Sequence, residues 1–234
     1  MESLKHTLKT LAIPLRLRIG RGPLRGLKWV LASGGKFFNG TYEREQTARF
    51  EASISSGSVV FDVGAHVGYY TAIASIRSGT RGRVYAFEPR PINLRILRCH
   101  LRVNRLGNVT VIPACVGESD GDARFDTRTG SGTGHLSEKG SLRVKVVSLD
   151  ALVRSGTVPE PNVIKIDVEG AEMGVLTGAA DVIQTARPTL FISTHGPDNH
   201  RAVTAFLEAR NYSCEVLRDA NAGDDKEVVA LHSS

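Results

Sequence analysis

The sequence predicts an α/β fold built on a doubly wound β-sheet that is mostly parallel and has one antiparallel strand. Short apolar runs alternate with longer segments of helical periodicity from residue 42 to residue 218, which indicates strand–helix–strand units with helices on both sheet faces. The last apolar run follows a turn at residues 221–224, so we expect an antiparallel strand there. The 234 residues are 41% apolar and 23% charged, which suits one globular domain with an N-terminal extension.

The expected elements follow in chain order. Residues 3–19 place leucines at helical spacing and predict a helix that Pro14 weakens, and residues 24–32 alternate ahead of Ser33-Gly34-Gly35, which predicts a hairpin. We therefore assign residues 1–40 to a basic N-terminal extension with an amphipathic helix and a hairpin, and residues 41–234 to the main domain. That domain begins with a helix at residues 42–55 and continues with strands at residues 58–63, 82–87, 109–114, 161–167, 188–194, 212–218 and 226–232.

One stretch, residues 120–148, interrupts the alternation of strands and helices. Residues 129–134 are rich in glycine, and Leu142, Val144 and Val146 alternate as they would in a strand. We expect a β-hairpin or mobile flap here, inserted after the third parallel strand and carrying His135. Such a loop at the carboxyl edge of the sheet can close over a substrate and exclude water.

A strand, a tight turn and a helix start are encoded by residues 59–71, where the spacing is Asp62-x-Gly64-x-x-x-Gly68. Gly64 lets a ligand approach the main chain, and Gly68 would let the helix pack tightly against the strand. The spacing differs from Gly-x-Gly-x-x-Gly, which lays a dinucleotide pyrophosphate on a helix N-terminus. We therefore predict a nucleoside ligand without a phosphate bridge, with S-adenosylmethionine as the leading candidate.

A second acid, Glu88, ends the next predicted strand 26 positions after Asp62, or about one βαβ unit later. In such folds an acid at the end of the second strand accepts the ribose hydroxyls of the ligand. Pro89 ends the strand, and Asn93 opens a helix nearby. The two strand ends together predict a nucleoside site at the carboxyl edge of the sheet.

Four segments give the chain a resemblance to the FkbM-type methyltransferases: FDVGAHVGYYT (residues 61–71), VYAFEP (84–89), VSLD (147–150) and IKIDVEGAE (164–172). The resemblance runs from about residue 24 to about residue 218, and residues 165–172 are its sharpest element. It implies a class I methyltransferase fold of the Rossmann-like type, S-adenosylmethionine as cofactor and O-methylation of a sugar or natural-product hydroxyl. His66 stands where the family usually has Asn.

The motifs and the resemblance together define the expected cofactor site, in which Tyr42 and Glu43 form one wall on the strength of the resemblance alone. The full set of expected cofactor-binding residues is Tyr42, Glu43, Asp62, Gly64, His66, Gly68, Tyr69, Glu88, Pro89 and Asn93.

Three further residues are candidates for catalysis at the same edge. Asp167 ends the fourth parallel strand and Glu169 follows in the turn, so we assign both to orientation of the substrate hydroxyl or acceptance of its proton. His195 ends the fifth strand ahead of Gly-Pro and is a candidate general base. Glu172 is explained by its place at a helix N-terminus. Asp167, Glu169 and His195 could also supply ligands to a divalent metal, but no spacing is diagnostic and we assign no metal site.

The excess positive charge of the chain lies in its N-terminal 30 residues. Residues 1–30 hold seven of the 30 Lys and Arg residues and one of the 24 acids, so the remainder is neutral. A basic amphipathic segment can lie on an anionic membrane surface, pack on the domain or contact a second subunit. Nucleic acid is not an expected partner, because the interleaved aromatic residues of single-strand binders are missing.

The cysteines and the hydropathy bear on the compartment. Cys99, Cys115 and Cys214 are far apart and form no Cys-x-x-Cys pair, so neither a disulfide framework nor a zinc site is indicated. We expect reduced thiols, no secretory signal, no membrane span, and a cytoplasmic location that includes the inner face of the membrane as an option.

Two alternatives stay open beside a sugar hydroxyl as acceptor. The first is a methyltransferase for a lipid or an amine. Its nucleic-acid version is disfavoured, because Asp167-Val168-Glu169-Gly170 replaces the Asn/Asp-Pro-Pro-aromatic motif of enzymes that methylate exocyclic amines. The second is a non-catalytic protein that binds S-adenosylmethionine. The intact polar residues at the strand ends argue against it.

Overall fold

The computed structural model describes residues 15–126, 135–136, 140–217 and 225–233. The helices are α1 (Arg44–Ser53), α2 (Tyr69–Ser78), α3 (Pro91–Val103), α4 (Leu149–Arg154), α5 (Glu172–Thr177), α6 (Ala180–Ala186) and α7 (Pro197–Glu208). The strands are β1 (Arg16–Arg18), β2 (Lys28–Val30), β3 (Val59–Val63), β4 (Arg83–Phe87), β5 (Val109–Ile112), β6 (Ala114–Val116), β7 (Gly121–Asp126), β8 (His135–Leu136), β9 (Leu142–Val147), β10 (Val163–Ile166), β11 (Thr189–Thr194), β12 (Tyr212–Val216) and β13 (Lys226–His232).

Seven strands form the central sheet, in the order β12–β13–β11–β10–β3–β4–β5. The neighbours from β11 to β5 pair in parallel, whereas β13 is antiparallel to both β11 and β12. The predicted α/β fold with one antiparallel strand is thereby confirmed. The chain leaves β3 toward β4 and β5 and later returns to its other side with β10, so the strand order reverses at β3. Ligands bind at such a switch point, outside the carboxyl ends of the strands.

The central strands are apolar along their whole length because helices cover both sheet faces. In β3, Val60 packs into one buried cluster, while Phe61 and Val63 pack into a second cluster on the opposite face. Asp62 and Lys165 are exceptions to this apolar pattern. They are register partners on β3 and β10, and both are buried. A charged pair inside the two central strands calls for a functional or structural explanation, since an unpaired buried charge is costly.

The N-terminal region differs from the predicted helix. Residues 1–14 lie outside the described residues, but Arg16–Arg18 forms β1 and pairs antiparallel with β2. Leu15, Leu17 and Ile19 alternate with arginines, a pattern of period two that fits a strand better than a helix at this point. The turn of the hairpin lies within residues 19–27, and the predicted turn at Ser33-Gly34-Gly35 instead belongs to two short 3₁₀ segments.

The described part of this extension shares the core of the main domain. Ile19, Leu24 and Trp29 are buried in the cluster that includes Phe50 of α1. Trp29 stacks on His100 of α3, with ring centroids 3.6 Å apart. His100 Nε2 accepts the Val30 N–H at 2.9 Å, and His100 Nδ1 donates to the Val67 carbonyl at 2.8 Å. Residues of this extension between Ile19 and Phe37 therefore pack on the main domain.

Residues 120–148 contain most of a second, four-stranded sheet in the order β6–β9–β7–β8. β7 and β9 pair antiparallel from Gly121 opposite Val146 to Phe125 opposite Leu142, and β9 also pairs in parallel with β6. Phe125 packs on Cys115 and Val144, which places this sheet beside the carboxyl edge of the central one. The glycine-rich stretch of the expected flap lies outside the described residues.

None of the described helices combines the length and the apolar character that crossing a bilayer requires.

Candidate active site

Hydrogen bonds from backbone N–H groups fix the shape of the turn that follows β3. Gly64, His66 and Gly68 have φ angles of 84°, 50° and 92°, in the left-handed region. The N–H groups of Gly64 and Ala65 donate to the Phe87 carbonyl, that of His66 donates to Glu88 Oε2 at 2.8 Å, and that of Gly68 donates to the Ala65 carbonyl. Because these four donors are already bonded to protein, they do not form a cradle for a pyrophosphate. This agrees with the nucleoside ligand predicted from the spacing.

The two glycines of the turn are required for different contacts. A Cβ on Gly64 would lie 1.9 Å from the backbone oxygen of Asp167, so Gly64 lets the β3 turn touch the end of β10. A Cβ on Gly68 would lie 2.3 Å from Leu97 Cδ1 on α3. The predicted close packing of Gly68 is thus against a neighbouring helix and not against the strand.

The first cavity lies between the β3 turn, the end of β4 and the β6–β7 region. Its walls combine a carboxylate with apolar and aromatic side chains, as a nucleoside site requires. Five of the predicted cofactor residues line it: Gly64, His66, Glu88, Pro89 and Asn93. The remaining lining residues are Phe87, Arg90, Ala114, Cys115, Val116, Phe125, Asp167, Val168, Glu169 and Ala171.

Glu88 is the central polar group of the first cavity. It is buried and accepts hydrogen bonds from the N–H groups of His66 and Arg90, both at 2.8 Å, and from Asn93 Nδ2 at 3.3 Å. Burial raises the pKa of Glu88 to about 7, although these hydrogen bonds favour the ionised form. Burial also raises the pKa of Cys115 to about 12, so this neighbouring thiol stays protonated and is not a nucleophile.

A second cavity adjoins the first one, and the two share Gly64, His66 and Asp167. The second cavity is aromatic and charged. Its other lining residues are Phe37, Tyr42, Asp62, Ala65, Val67, Tyr69, Tyr70 and Lys165.

Asp62 and Lys165 are the charged groups at the base of the second cavity. Burial raises the pKa of Asp62 to about 6, against a hydrogen bond from the Thr71 hydroxyl and the charge of Lys165. Lys165 Nζ donates to Ser193 Oγ at 2.9 Å and lies 3.6 Å from Asp167 Oδ2. Burial lowers the pKa of Lys165, but the surrounding carboxylates, Asp167 first, raise it above its ordinary value. The buried ammonium therefore stays charged.

Tyr42 and Glu43 were expected to form one wall of the cofactor site. Tyr42 does line the second cavity, where its ring packs edge-on against Tyr69. Glu43 lies behind this wall and accepts a hydrogen bond from the Tyr70 hydroxyl at 2.7 Å. Among the described residues, Glu43 and Gly68 are the predicted cofactor residues that line neither cavity, so their contribution is to support the walls.

Asp167, Glu169 and His195 come together at the edge of the first cavity. His195 Nε2 lies 3.5 Å from Glu169 Oε2 and 3.9 Å from Asp167 Oδ1. One ligand atom from each of the three residues lies within 4.8 Å of the others, so the group has the composition and spacing to hold a metal ion. The sequence thus predicted which side chains meet here.

Glu172 is the residue whose role the sequence did not reveal. Its side chain is fully buried and lies 2.7 Å from His195 Nδ1. It also accepts the Gly170 N–H at 3.0 Å and a hydrogen bond from Asn199. The contact with Gly170 fits the expected role at a helix start. The contact with His195 spans 23 positions and fixes the orientation of the imidazole, which no local pattern indicates.

The charges around His195 decide its protonation. Burial lowers the pKa of His195, but the hydrogen bond and charge of Glu172, followed by Asp167 and Glu169, raise it to about 9. The pKa of Glu169 is raised to about 7, chiefly by burial. The raised pKa of His195 favours its imidazolium form at neutral pH.

The VSLD segment has a structural role. Ser148 caps α4 through its hydroxyl, which accepts the Ala151 N–H at 3.3 Å. Asp150 accepts the N–H groups of Asp181 and Val182 at 3.1 and 2.9 Å and so caps α6.

Comparison with known proteins agrees with this geometry. Residues 62–214 match the family model of the methyltransferase FkbM domain. The chain is 35% identical over 164 residues to the hexuronic acid methyltransferase AglP of Haloferax volcanii, which covers 68% of this chain. The matched region spans 65% of the length of that relative.

Two solved structures support the fold. The FkbM methyltransferase from Methylobacillus flagellatus KT matches with a TM-score of 0.56 at 23% identity, over 75% of this chain and 43% of that one. An S-adenosylmethionine-dependent O-methyltransferase from Thermotoga maritima matches with a TM-score of 0.53 at 13% identity, over 82% of this chain and 66% of that one. The fold is that of the class I methyltransferases, and the match over residues 62–214 shows that the chain belongs to the FkbM methyltransferase family.

Proposed function

We propose that this chain is an S-adenosylmethionine-dependent methyltransferase that transfers a methyl group to a hydroxyl of a sugar. The observation that carries the proposal is the pair of adjoining cavities at the sheet edge. The first cavity presents Glu88 with apolar walls on one side and Asp167 and Glu169 beside His195 on another, and the second cavity adds Asp62 and Lys165. A nucleoside cofactor and a polyhydroxyl acceptor need these two kinds of wall.

The residues of both cavities fit S-adenosylmethionine. Glu88 accepts the ribose hydroxyls, since its three protein donors are directed at a carboxylate that keeps further acceptor capacity. Phe87, Val116 and Phe125 provide apolar walls for the adenine. The second cavity takes the amino-acid end, where Asp62 and Lys165 offer charges opposite to those of its ammonium and carboxylate. We expect Asp62→Ala and Glu88→Ala to abolish cofactor binding.

The residues at the acceptor end position a hydroxyl and remove its proton. S-adenosylmethionine, when bound, supplies an electrophilic methyl group, whose transfer to a hydroxyl oxygen leaves S-adenosylhomocysteine and the hydroxyl proton. Asp167 and Glu169 line the first cavity, where they would orient the hydroxyl by accepting hydrogen bonds and take that proton. His195 lies against both carboxylates and balances their charge.

The relative named as a hexuronic acid methyltransferase supports a sugar as the acceptor class. A hexuronic acid has two kinds of nucleophile, its hydroxyls and its carboxylate. The cavity edge carries carboxylates that can act as bases, which a hydroxyl acceptor needs and a carboxylate acceptor does not. This favours transfer to a hydroxyl and formation of an ether.

The test is an acceptor screen with S-adenosylmethionine labelled in its methyl group. Uronic-acid-containing glycans, neutral glycans, glycolipids and small amines are compared, and Asp62→Ala serves as the inactive control. The proposal expects label in a glycan or glycolipid sugar that survives mild alkali, as an ether does. Label that alkali releases would indicate a methyl ester, and label only in an amine or a lipid chain would contradict the proposed acceptor.

The location and the contacts of the chain are proposals of the same kind. Cys99, Cys115 and Cys214 are free thiols, which supports a reducing, cytoplasmic compartment. The basic residues of the first 30 positions, with Leu15 and Leu17 exposed, support contact with an anionic membrane surface. Sedimentation with anionic and neutral vesicles tests this contact, and equal recovery with both would contradict it.

A further inference from the structure

We propose that Asp167, Glu169 and His195 bind one divalent cation of the oxygen- and nitrogen-preferring kind, such as Mn²⁺ or Mg²⁺, at the wall of the first cavity. Two carboxylates and one imidazole make up a common ligand set for such ions, with positions left over for water or substrate. On binding, the ion replaces the proton on His195 Nε2, which is released to solvent. The binding of the ion stands on the geometry of these side chains. Its catalytic role rests on the proposed function.

The three side chains are spaced to close on an ion. His195 Nε2 is 3.5 Å from Glu169 Oε2 and 3.9 Å from Asp167 Oδ1. Neighbouring ligands of an octahedral ion with bonds of about 2.1 Å lie roughly 3 Å apart and opposite ligands roughly 4 Å apart. The three ligand atoms all lie within 4.8 Å of one another, so shifts of about an ångström bring them to such spacings. The side chains are 21–29% exposed, which leaves them within reach of an ion that enters from the cavity.

Glu172 holds the imidazole in the orientation that a metal ligand needs. A metal-bound histidine usually donates its second ring N–H to a carboxylate, which fixes the tautomer and the plane of the ring. Here the buried Glu172 carboxylate contacts His195 Nδ1 at 2.7 Å, so Nε2 is the nitrogen that faces Asp167 and Glu169. Glu172 is itself fixed by the Gly170 N–H and by Asn199.

The backbone and the neighbouring charges also suit a cation. Glu169 adopts a left-handed φ of 55°, a conformation that costs energy in a non-glycine residue and is enriched at functional sites. Oδ2 of Asp167 faces Lys165 Nζ, whereas Oδ1 faces His195 Nε2. Lys165 therefore neutralises one side of the group, and the side facing the cavity is where carboxylate charge accumulates.

A cation at this position deepens the proposed chemistry. It would face the same cavity as Asp167 and Glu169 and could coordinate a hydroxyl together with a neighbouring hydroxyl or carboxylate of a sugar. Coordination lowers the pKa of a hydroxyl and fixes its oxygen for attack. The same ion would offset the repulsion between an acidic sugar and the three carboxylates. The ligand class thus inferred is a chelating, oxygen-rich sugar.

The test is a titration of the purified chain with Mn²⁺, in which electron paramagnetic resonance measures the free ion. The proposal predicts one saturable site per chain. Glu169→Gln and His195→Ala should each weaken it by at least about tenfold, and Glu172→Gln, which removes the negative charge behind the imidazole without touching the proposed ligands, by about 10–100-fold. Asp198→Asn is the matched control, because Asp198 is an exposed acid on the helix that follows His195, and its loss should leave the site unchanged.

Other outcomes separate the cation site from the cofactor site. Circular dichroism first establishes that each variant is folded, and S-adenosylmethionine is titrated calorimetrically into the same samples. No saturable Mn²⁺ site in the wild type, or a site that His195→Ala and Glu169→Gln leave intact, overturns the cation proposal. Cofactor binding without Mn²⁺ binding would leave the proposed function standing and would overturn the cation proposal. Mn²⁺ binding without cofactor binding would support the cation site and contradict the proposed function.

Discussion

Gly64→Ala tests whether the β3 turn and the end of β10 are built as one unit. A Cβ at this position would lie 1.9 Å from the Asp167 backbone oxygen, whereas real Cβ contacts start near 3.0 Å. The two segments must therefore separate by about 1 Å, which costs about 1–3 kcal/mol as overpacking. The left-handed φ of 84° adds about 1–2 kcal/mol for a residue with a Cβ. The expected loss in the free energy of unfolding is about 2–5 kcal/mol.

Gly57→Ala is the matched control for this prediction. Gly57 also has a left-handed φ, of 93°, but a Cβ there meets no other atom within 4 Å. It should cost only the conformational part, about 1–2 kcal/mol. Urea unfolding of both variants measures the difference, and calorimetry should show weakened S-adenosylmethionine binding for Gly64→Ala alone. Equal losses of stability, with cofactor affinity kept in both variants, would refute the reasoning that the contact between Gly64 and Asp167 shapes the site.

Three further predictions concern buried ionisable groups. The pKa of Glu88 is about 7 and its ionised form accepts the ribose, so cofactor affinity should fall as the pH drops below 7, by up to about tenfold per unit. In calorimetry, Glu88→Gln should remove the part of this dependence that begins near pH 7 and leave the part due to Asp62, whose pKa is about 6. Burial lowers the pKa of His100 to about 4, so on acidification the unfolded chain takes up a proton on this histidine at a higher pH than the folded chain does. The contribution of His100 to the free energy of unfolding is therefore present above pH 6.5 and is lost as the pH falls, by about 2 kcal/mol at pH 5. Urea unfolding at pH 7 and pH 5 should show a smaller pH effect in His100→Gln, and an unchanged effect would contradict this. Lys165→Met removes the buried ammonium beside Asp62 and Asp167 and should cost about 3–5 kcal/mol in urea unfolding, whereas a cost below 1 kcal/mol would show that these carboxylates need no partner.

The sequence could predict the strand ends of the site because parallel strands deliver their carboxyl ends to one edge. Asp62, Glu88, Asp167 and His195 each end or follow an apolar run, so their convergence follows from the fold class. The N-terminal hairpin was harder to predict. The segment from residue 15 to residue 19 is too short for its spacing of leucines and arginines to separate a helix from a strand. Its pairing with β2 makes it a strand.

Contacts between distant elements could not be predicted from local patterns. Glu172 resembles an ordinary acid at a helix start, and only the packing of α5 beside the end of β11 brings it to His195. The acid cluster in turn raises the pKa of His195, an effect that the sequence around this histidine does not reveal. Lys165 likewise occupies a buried strand position where an apolar residue is expected, and nearby carboxylates, Asp167 first, keep its ammonium charged.

Calorimetric titration of the purified chain with S-adenosylmethionine, S-adenosylhomocysteine and NAD decides whether the paired cavities bind S-adenosylmethionine. We predict micromolar binding of both sulfur nucleosides at one site, and no binding of NAD, because the four amide groups of the β3 turn are bonded to protein. A folded sample that binds neither sulfur nucleoside would contradict the account and return the turn from Asp62 to Gly68 to a purely structural role.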